Sequence, residues 1–122
     1  MMLAKAEMFN DMDTARLIME APHPREQKAL GRQVKGFDKE KWEAQARDIV
    51  EKGCYFKFSQ NEYLKRFLLN TGDTILVEAS PYDCVWGIGI GPDDPRRFDE
   101  KNWRGTNWWG EVLMRVRTRL KD

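Results

Sequence analysis

Phe37-Asp38-Lys39-Glu40-Lys41-Trp42-Glu43-Ala44-Gln45-Ala46-Arg47-Asp48-Ile49-Val50-Glu51-Lys52-Gly53 is the stretch that decides the fold class. Asp38 is an N-cap residue, with Phe37 and Trp42 at the two positions of a hydrophobic staple. Trp42, Ala46, Ile49 and Val50 recur at helical spacing and form one stripe. Glu43 and Arg47 are an i,i+4 pair. Gly53 is placed to end the helix in the left-handed conformation.

The same logic extends in both directions. Ser59-Gln60-Asn61-Glu62 reads as a capping box opening a helix with Tyr63, Leu64, Phe67 and Leu68 along one side. Trp109, Val112, Leu113, Val116 and Leu120 give a last helix over about 107–120. Arg115, Arg117, Arg119 and Lys121 crowd its C-terminal half, where cations suit the helix dipole. They read as a solvated face, as do the charges of 38–48. Toward the N-terminus, helices fit 3–9, 12–20 and 24–32. Pro22 closes the second and Pro24 stands at the first turn of the third. Thr71-Gly72-Asp73 turns the chain into Ile75-Leu76-Val77, which reads as a short buried strand. The fold class is therefore mainly α, an α+β arrangement with a minor strand component.

From Ser80 to Gly105 the periodicity stops, while Trp86 and Trp103 argue against disorder. A stretch of that length without pattern points to function. The residues that are scarce narrow the chemistry. The chain has 122 residues, one histidine (His23) and two cysteines (Cys54 and Cys84). Zinc sites want about four Cys/His ligands, so no metal centre is expected. His23 lies in Pro22-His23-Pro24, where a turn sets its hydrogen bonding, so a histidine-centred hydrolytic set is disfavoured. Two isolated cysteines without a signal sequence read as reduced thiols. With 21 Lys+Arg against 20 Asp+Glu, no global field draws the chain to nucleic acid or membrane. No apolar run is long enough to span a bilayer, so a cytoplasmic protein without membrane attachment is expected.

Three clusters could carry chemistry. Lys57-Phe58-Ser59-Gln60-Asn61 gathers donors at a helix N-terminus, which either binds phosphate or only caps the helix. Val77-Glu78-Ala79-Ser80-Pro81-Tyr82-Asp83 leads into Trp86-Gly87-Ile88-Gly89. Two carboxylates beside an aromatic ring suit cleavage of a glycosidic bond. The bland reading is an Asx turn at Asp83 and a packed Trp86. Gly105-Thr106-Asn107-Trp108-Trp109-Gly110 caps the last helix and is a second candidate anion site.

These residues also form a pattern at larger scale. Lys5-Ala6, Ala29-Leu30-Gly31-Arg32, Val34-x-Gly36-Phe37-Asp38, Trp42, Lys57-Phe58-x-Gln60-Asn61, Leu68-Leu69-x-Thr71-Gly72-Asp73, Leu76-Val77-Glu78-Ala79-Ser80-Pro81, Trp86-Gly87-Ile88-Gly89 and Gly105-x-Asn107-x-x-Gly110, with Leu113-Met114-x-Val116-Arg117, resemble the NADAR family, which includes YbiA-like N-glycosidases. The resemblance covers nearly the whole chain and implies one YbiA-like helical domain over 1–122. It implies cleavage of an N-glycosidic bond to ribose. The substrate would be a ribosylamino intermediate of riboflavin synthesis or an ADP-ribosylated guanine, the latter also when carried on nucleic acid. No cofactor is implied.

Carried over by position, Lys5 matches the lysine of the family's first helix and is the candidate amine for the anomeric carbon. Such a lysine needs a lowered pKa, from desolvation or a neighbouring cation. Glu78 and Asp83 are the acid/base candidates. Trp86 and Gly87 of the W-G motif would meet the base or ribose, and Lys57, Gln60, Asn61 and Asn107 would hold hydroxyls or phosphate. Met1-Met2 stands where the family's lysine helix is already under way. The resemblance thus implies an N-terminally truncated domain that lacks a glutamate ahead of that helix. A nucleotide-sugar binding domain with impaired catalysis is the alternative, and a plain helical interaction domain is the third reading.

Overall fold

Asp11 shows how local chemistry starts a helix in this protein. In the computed structural model, which describes residues 1–121, the Asp11 carboxylate accepts from the Thr14 N–H at 3.2 Å and from the Thr14 hydroxyl at 2.6 Å. These bonds satisfy donors that a helix N-terminus leaves without partners. The carboxylate also takes the Lys35 N–H at 2.8 Å, tying the residue 35 backbone to the start of the helix. The Thr14 hydroxyl, then the Lys35 and Thr14 amides, hold the Asp11 carboxyl below its ordinary pKa.

The chain divides into two compact units, Met1–Ile49 and Val50–Asp122. The first contains α1 (Met2–Met8), α2 (Met12–Glu20) and α3 (Pro24–Gly31). Asn10 turns the chain between α1 and α2 in the left-handed region, at φ 56°. His23 caps α3: its Nδ1 accepts the Arg25 N–H at 3.1 Å. Ala6, Ala15, Ile18 and Val34 form the buried centre, with Met2, Leu3, Phe9 and Leu30 packed around it.

α4 (Lys39–Gln60) begins in the first unit and ends in the second. Asp38 caps it as expected, its Oδ1 accepting from Glu40 N–H at 3.0 Å and Lys41 N–H at 3.3 Å. Trp42, Ala46 and Val50 of the stripe are buried. Gly53 is not the end. The helix runs through it for seven more residues, to Gln60. A glycine inside a helix costs about 1 kcal/mol. Continuing the helix places Cys54, Tyr55 and Phe58 on the second unit's core, and burying such side chains is worth more than that. Nothing lies within 4 Å of a Cβ built on Gly53. Gly53→Ala should therefore stabilise the protein by about 0.5–1 kcal/mol. Thermal unfolding would read this as a midpoint raised by a few degrees.

In the second unit, α5 (Glu62–Leu69) is capped by Asn61 rather than Ser59. Asn61 Oδ1 accepts the Leu64 N–H at 3.1 Å, while the Ser59 hydroxyl bonds back to the Phe56 carbonyl within α4. The capping box lies two residues too early because α4 is longer than its glycine suggests. α6 (Trp108–Leu120) buries Val112, Val116 and Leu120 against Val50, Cys54 and Leu68. Its charged end is not a uniformly solvated face. Arg117 is buried and donates to the Thr71 hydroxyl at 2.9 Å and to the Thr74 carbonyl at 2.8 Å. Lys121 bonds Asp73 at 3.1 Å, and the Arg119 guanidinium lies 3.9 Å from the Tyr55 ring centroid. The sequence's C-terminal cations thus pin the 71–74 turn and cover an aromatic ring.

Candidate functional site

Among the described residues the expected strand at Ile75-Leu76-Val77 does not form. Its polar backbone groups meet a side chain in place of a neighbouring strand. The Asn107 amide donates from Nδ2 to the Leu76 carbonyl at 2.9 Å and accepts through Oδ1 from the Glu78 N–H at 2.9 Å. One carboxamide thereby presents the same donor–acceptor pair as a peptide group on an adjacent strand. Asn107 is buried, and its backbone is left-handed at φ 54°. Asparagine tolerates that conformation better than most residues. A Cβ on Gly110 would collide with the Leu76 carbonyl and the Asn107 amide, so glycine there allows the close approach.

The segment 78–109 has little regular structure but is stitched throughout. The Glu78 carbonyl accepts from Ser80 N–H at 3.0 Å and Ile88 N–H at 2.9 Å. Carbonyls of Cys84, Val85, Trp86, Gly87 and Ile88 accept in turn from the amides of Thr106, Trp108, Trp109, Asn107 and Arg104, at 2.8–3.0 Å. Asp83 holds the turn that starts this strip: its Oδ1 accepts from Val85 N–H at 3.0 Å and Trp86 N–H at 2.8 Å. Gly87 is buried where a Cβ would come within 2.9 Å of the Asp83 and Glu78 carbonyls. Ile88 and Ile90 anchor the strip in the interior at 0% and 2% exposure. Sequence reasoning missed this pair, although the alternation Gly87-Ile88-Gly89-Ile90-Gly91 carries it.

Trp86 packs on the second unit's core and meets Trp108 edge-on, with ring centroids 5.5 Å apart and planes at 88°. Glu78, Asp83, Trp86, Gly87 and Asn107 are therefore brought together in one hydrogen-bonded framework. Lys57, Gln60 and Asn61 are exposed at the junction of α4 and α5. Asn61 spends its Oδ1 on the α5 cap, and the Asn107 amide is bonded at both ends. Further along, Asp94 pairs with Arg96 at 2.7 Å. The Arg96 hydrogen bonds to the Asp94 side chain, then its N–H, bring that carboxyl down to about 2.

Lys5 belongs to the first unit. Its ammonium lies 4.5 Å from the centroid of the Phe37 ring, and Phe37 in turn meets Phe9 edge-on at 5.4 Å. Burial, followed by the positive charge of Arg32, lowers the Lys5 pKa from the ordinary lysine value. These are the two causes that a nucleophilic lysine requires. Phe37 does not act as the expected staple: it is 43% exposed and faces Phe9 and Lys5.

A domain model, the NADAR domain, matches residues 1–121. The chain belongs to the NADAR family. This NADAR chain is 44% identical over 122 residues to "Protein irg-1" of Caenorhabditis elegans, covering 98% of the chain and 57% of that protein. It is 43% identical over 117 residues to "N-glycosidase R617" of Acanthamoeba polyphaga mimivirus, covering 96% of the chain and 69% of the relative. It is 32% identical over 112 residues to "Riboflavin biosynthesis protein PYRR, chloroplastic" of Zea mays, covering 88% of the chain but 16% of that protein. The described NADAR residues contain no helix long and apolar enough to cross a membrane.

Proposed function

We propose that this NADAR chain forms part of an N-glycosidase that hydrolyses the bond between ribose and a base. Its substrate would be a phosphorylated ribosylamino compound or an ADP-ribosylated base. The observation that carries the reading is Lys5, an amine whose pKa is lowered by burial and by Arg32. A relative named as an N-glycosidase and another named for riboflavin biosynthesis support the class of reaction.

In this reading the neutral Lys5 amine forms a bond to the anomeric carbon. The carbon–nitrogen bond to the base breaks, and the base leaves with the bonding pair and a proton from a carboxylic acid. The nitrogen returns one proton to that carboxylate and passes a second to the ring oxygen as the bond from the anomeric carbon to that oxygen breaks, which opens the ribose ring and leaves an imine. Water then adds, releases the sugar and restores the lysine. Glu78 is the residue we assign as proton donor, because Asp83 already holds the turn at Val85 and Trp86. Trp86 would offer its ring to the base or ribose. Lys57 and Gln60, exposed beside α5, would contact phosphate or hydroxyl groups, with Asn61 contributing through its remaining polar atom. Gly87 and Asn107 would support the loop that presents Glu78.

Incubation of the purified protein with a ribosylamino phosphate and with an ADP-ribosylated base should release ribose 5-phosphate or ADP-ribose, read by chromatography. Tight ADP-ribose binding in calorimetry without turnover of either substrate would refute the hydrolase reading. It would leave a nucleotide-sugar binding domain.

A further inference from the structure

The Val34-x-Gly36-Phe37-Asp38 motif has no role in the reaction outlined above, yet the fold immobilises it with care. Val34 is buried in the first unit's core. The next residue, Lys35, has its N–H fixed by the buried Asp11 carboxylate at 2.8 Å. Gly36 then turns the backbone through φ 74°, a conformation that a residue with a Cβ adopts only under strain. Phe37 follows, and Asp38 starts α4. The ring of Phe37 is held from the side by the edge-on contact with Phe9, at 5.4 Å and 71°. Its face carries the Lys5 ammonium at 4.5 Å. Lys41 lies 5.6 Å from the centroid of Phe9.

A ring that is 43% exposed contributes little to a core. The short loop nevertheless fixes it at three successive residues. A lysine has four rotatable side-chain bonds and is ordinarily mobile, whereas an aromatic face within about 6 Å attracts its ammonium. We infer that Phe37 is the positioning residue for the Lys5 amine, presented by the 34–38 loop and steadied by Phe9. This rests on the reading of Lys5 as the nucleophile, and it adds the residue that sets where the amine waits. Arg32 is the charged group that bears on the same amine, and its positive charge opposes the ammonium that the ring favours.

The test compares Phe37→Leu with Phe37→Tyr. Leucine keeps the apolar cover but removes the ring face, and tyrosine restores the face. Labelling of Lys5 by an amine-selective acylating reagent, followed by peptide mass spectrometry across pH, needs no substrate. Because the face favours the ammonium, its loss should move the Lys5 labelling midpoint down by about half a unit. With substrate, Phe37→Leu should lower kcat about tenfold with little change in KM, the signature of lost positioning and not of lost binding. Phe37→Tyr should restore both readouts, and all three proteins should melt within a few degrees of one another. An unchanged labelling midpoint in Phe37→Leu, or a tyrosine variant that behaves like leucine, would overturn the inference. Full turnover in a protein lacking the Lys5 amine would instead overturn the function on which it rests, whatever the labelling shows.

Discussion

Lys5→Ala should reduce base release at least about a hundredfold, the size of effect typical of removing one positioned catalytic group. The substitution takes away the amine but little of the core, because Lys5 is only half-buried and Ala6 beside it supplies the buried contact. Lys5→Arg should be equally inactive. It keeps the positive charge, but a guanidinium does not deprotonate in this range. Turnover in the unaltered protein should rise with pH on its acid side, as the neutral amine becomes populated. Burial and Arg32 both lower the Lys5 pKa, so both bring that rise to lower pH. Arg32→Gln removes the second cause and should move the rise to higher pH. The effect on stability has the opposite sense from that of a paired lysine. A lysine whose pKa is lowered by folding costs stability below its folded pKa, and the cost fades as pH rises toward the unfolded value. Lys5→Met should thus be neutral or slightly stabilising at low pH while remaining inactive. Initial-rate measurements across pH with each variant check all of this. Full activity in Lys5→Ala would remove the nucleophile assignment.

Asn107→Ala carries the second large effect, and it falls on stability. Alanine leaves the Leu76 carbonyl and the Glu78 N–H without the amide that now bonds both, and it places an ordinary residue at φ 54°. Two lost part-buried hydrogen bonds plus backbone strain amount to about 2–5 kcal/mol. Asn107→Gly relieves the strain but not the lost bonds, so it should fall between alanine and the native residue. Asn107→Asp keeps an acceptor for the Glu78 N–H and turns a second carboxylate oxygen against the Leu76 carbonyl. It should be destabilising despite its matching shape. Urea unfolding followed by tryptophan fluorescence would rank the series, because Trp86 and Trp109 pack on the core that this amide helps to close. Equal stability of the alanine and glycine variants would show that the left-handed backbone costs nothing. Wild-type stability in both would sink the account of the 76–78 segment. On the role proposed for Glu78, which hangs from that segment, activity should fall in the same order as stability.

The candidate site was legible to different depths. Asp83 showed itself as a turn residue as readily as a catalytic one, because an Asx turn is written within three residues. The structure shows it holding that turn. Lys5 was marked by its place in the motif pattern, but nothing local announced what lies over its amine. The Phe37 ring comes 32 positions later, brought there by the loop that Asp11 and Gly36 fix. Asn107 reads from the sequence as part of a cluster that caps the last helix and offers an anion site. The bonding of the Asn107 amide depends on backbone 29 and 31 residues away.

The helices themselves were written in the sequence. Pro24, Asp38 and the Trp109-to-Leu120 stripe each act within one or two turns, and a cap or an apolar stripe works through near neighbours. Tertiary structure decided where those local signals lost. Gly53 prefers to stop a helix by about 1 kcal/mol, and the burial of Cys54, Tyr55 and Phe58 exceeds that preference. Ile75-Leu76-Val77 has strand-forming residues, yet a strand is defined by its partner, and the partner here is an asparagine side chain. Arg117 looked like one more solvated cation until a turn more than 40 residues away supplied its acceptors. The sequence thus determined every preference that a few adjacent residues can satisfy among themselves. Only the path of the folded chain decided which distant donors and acceptors would meet, because buried polar groups must be paired with whatever that path brings to them.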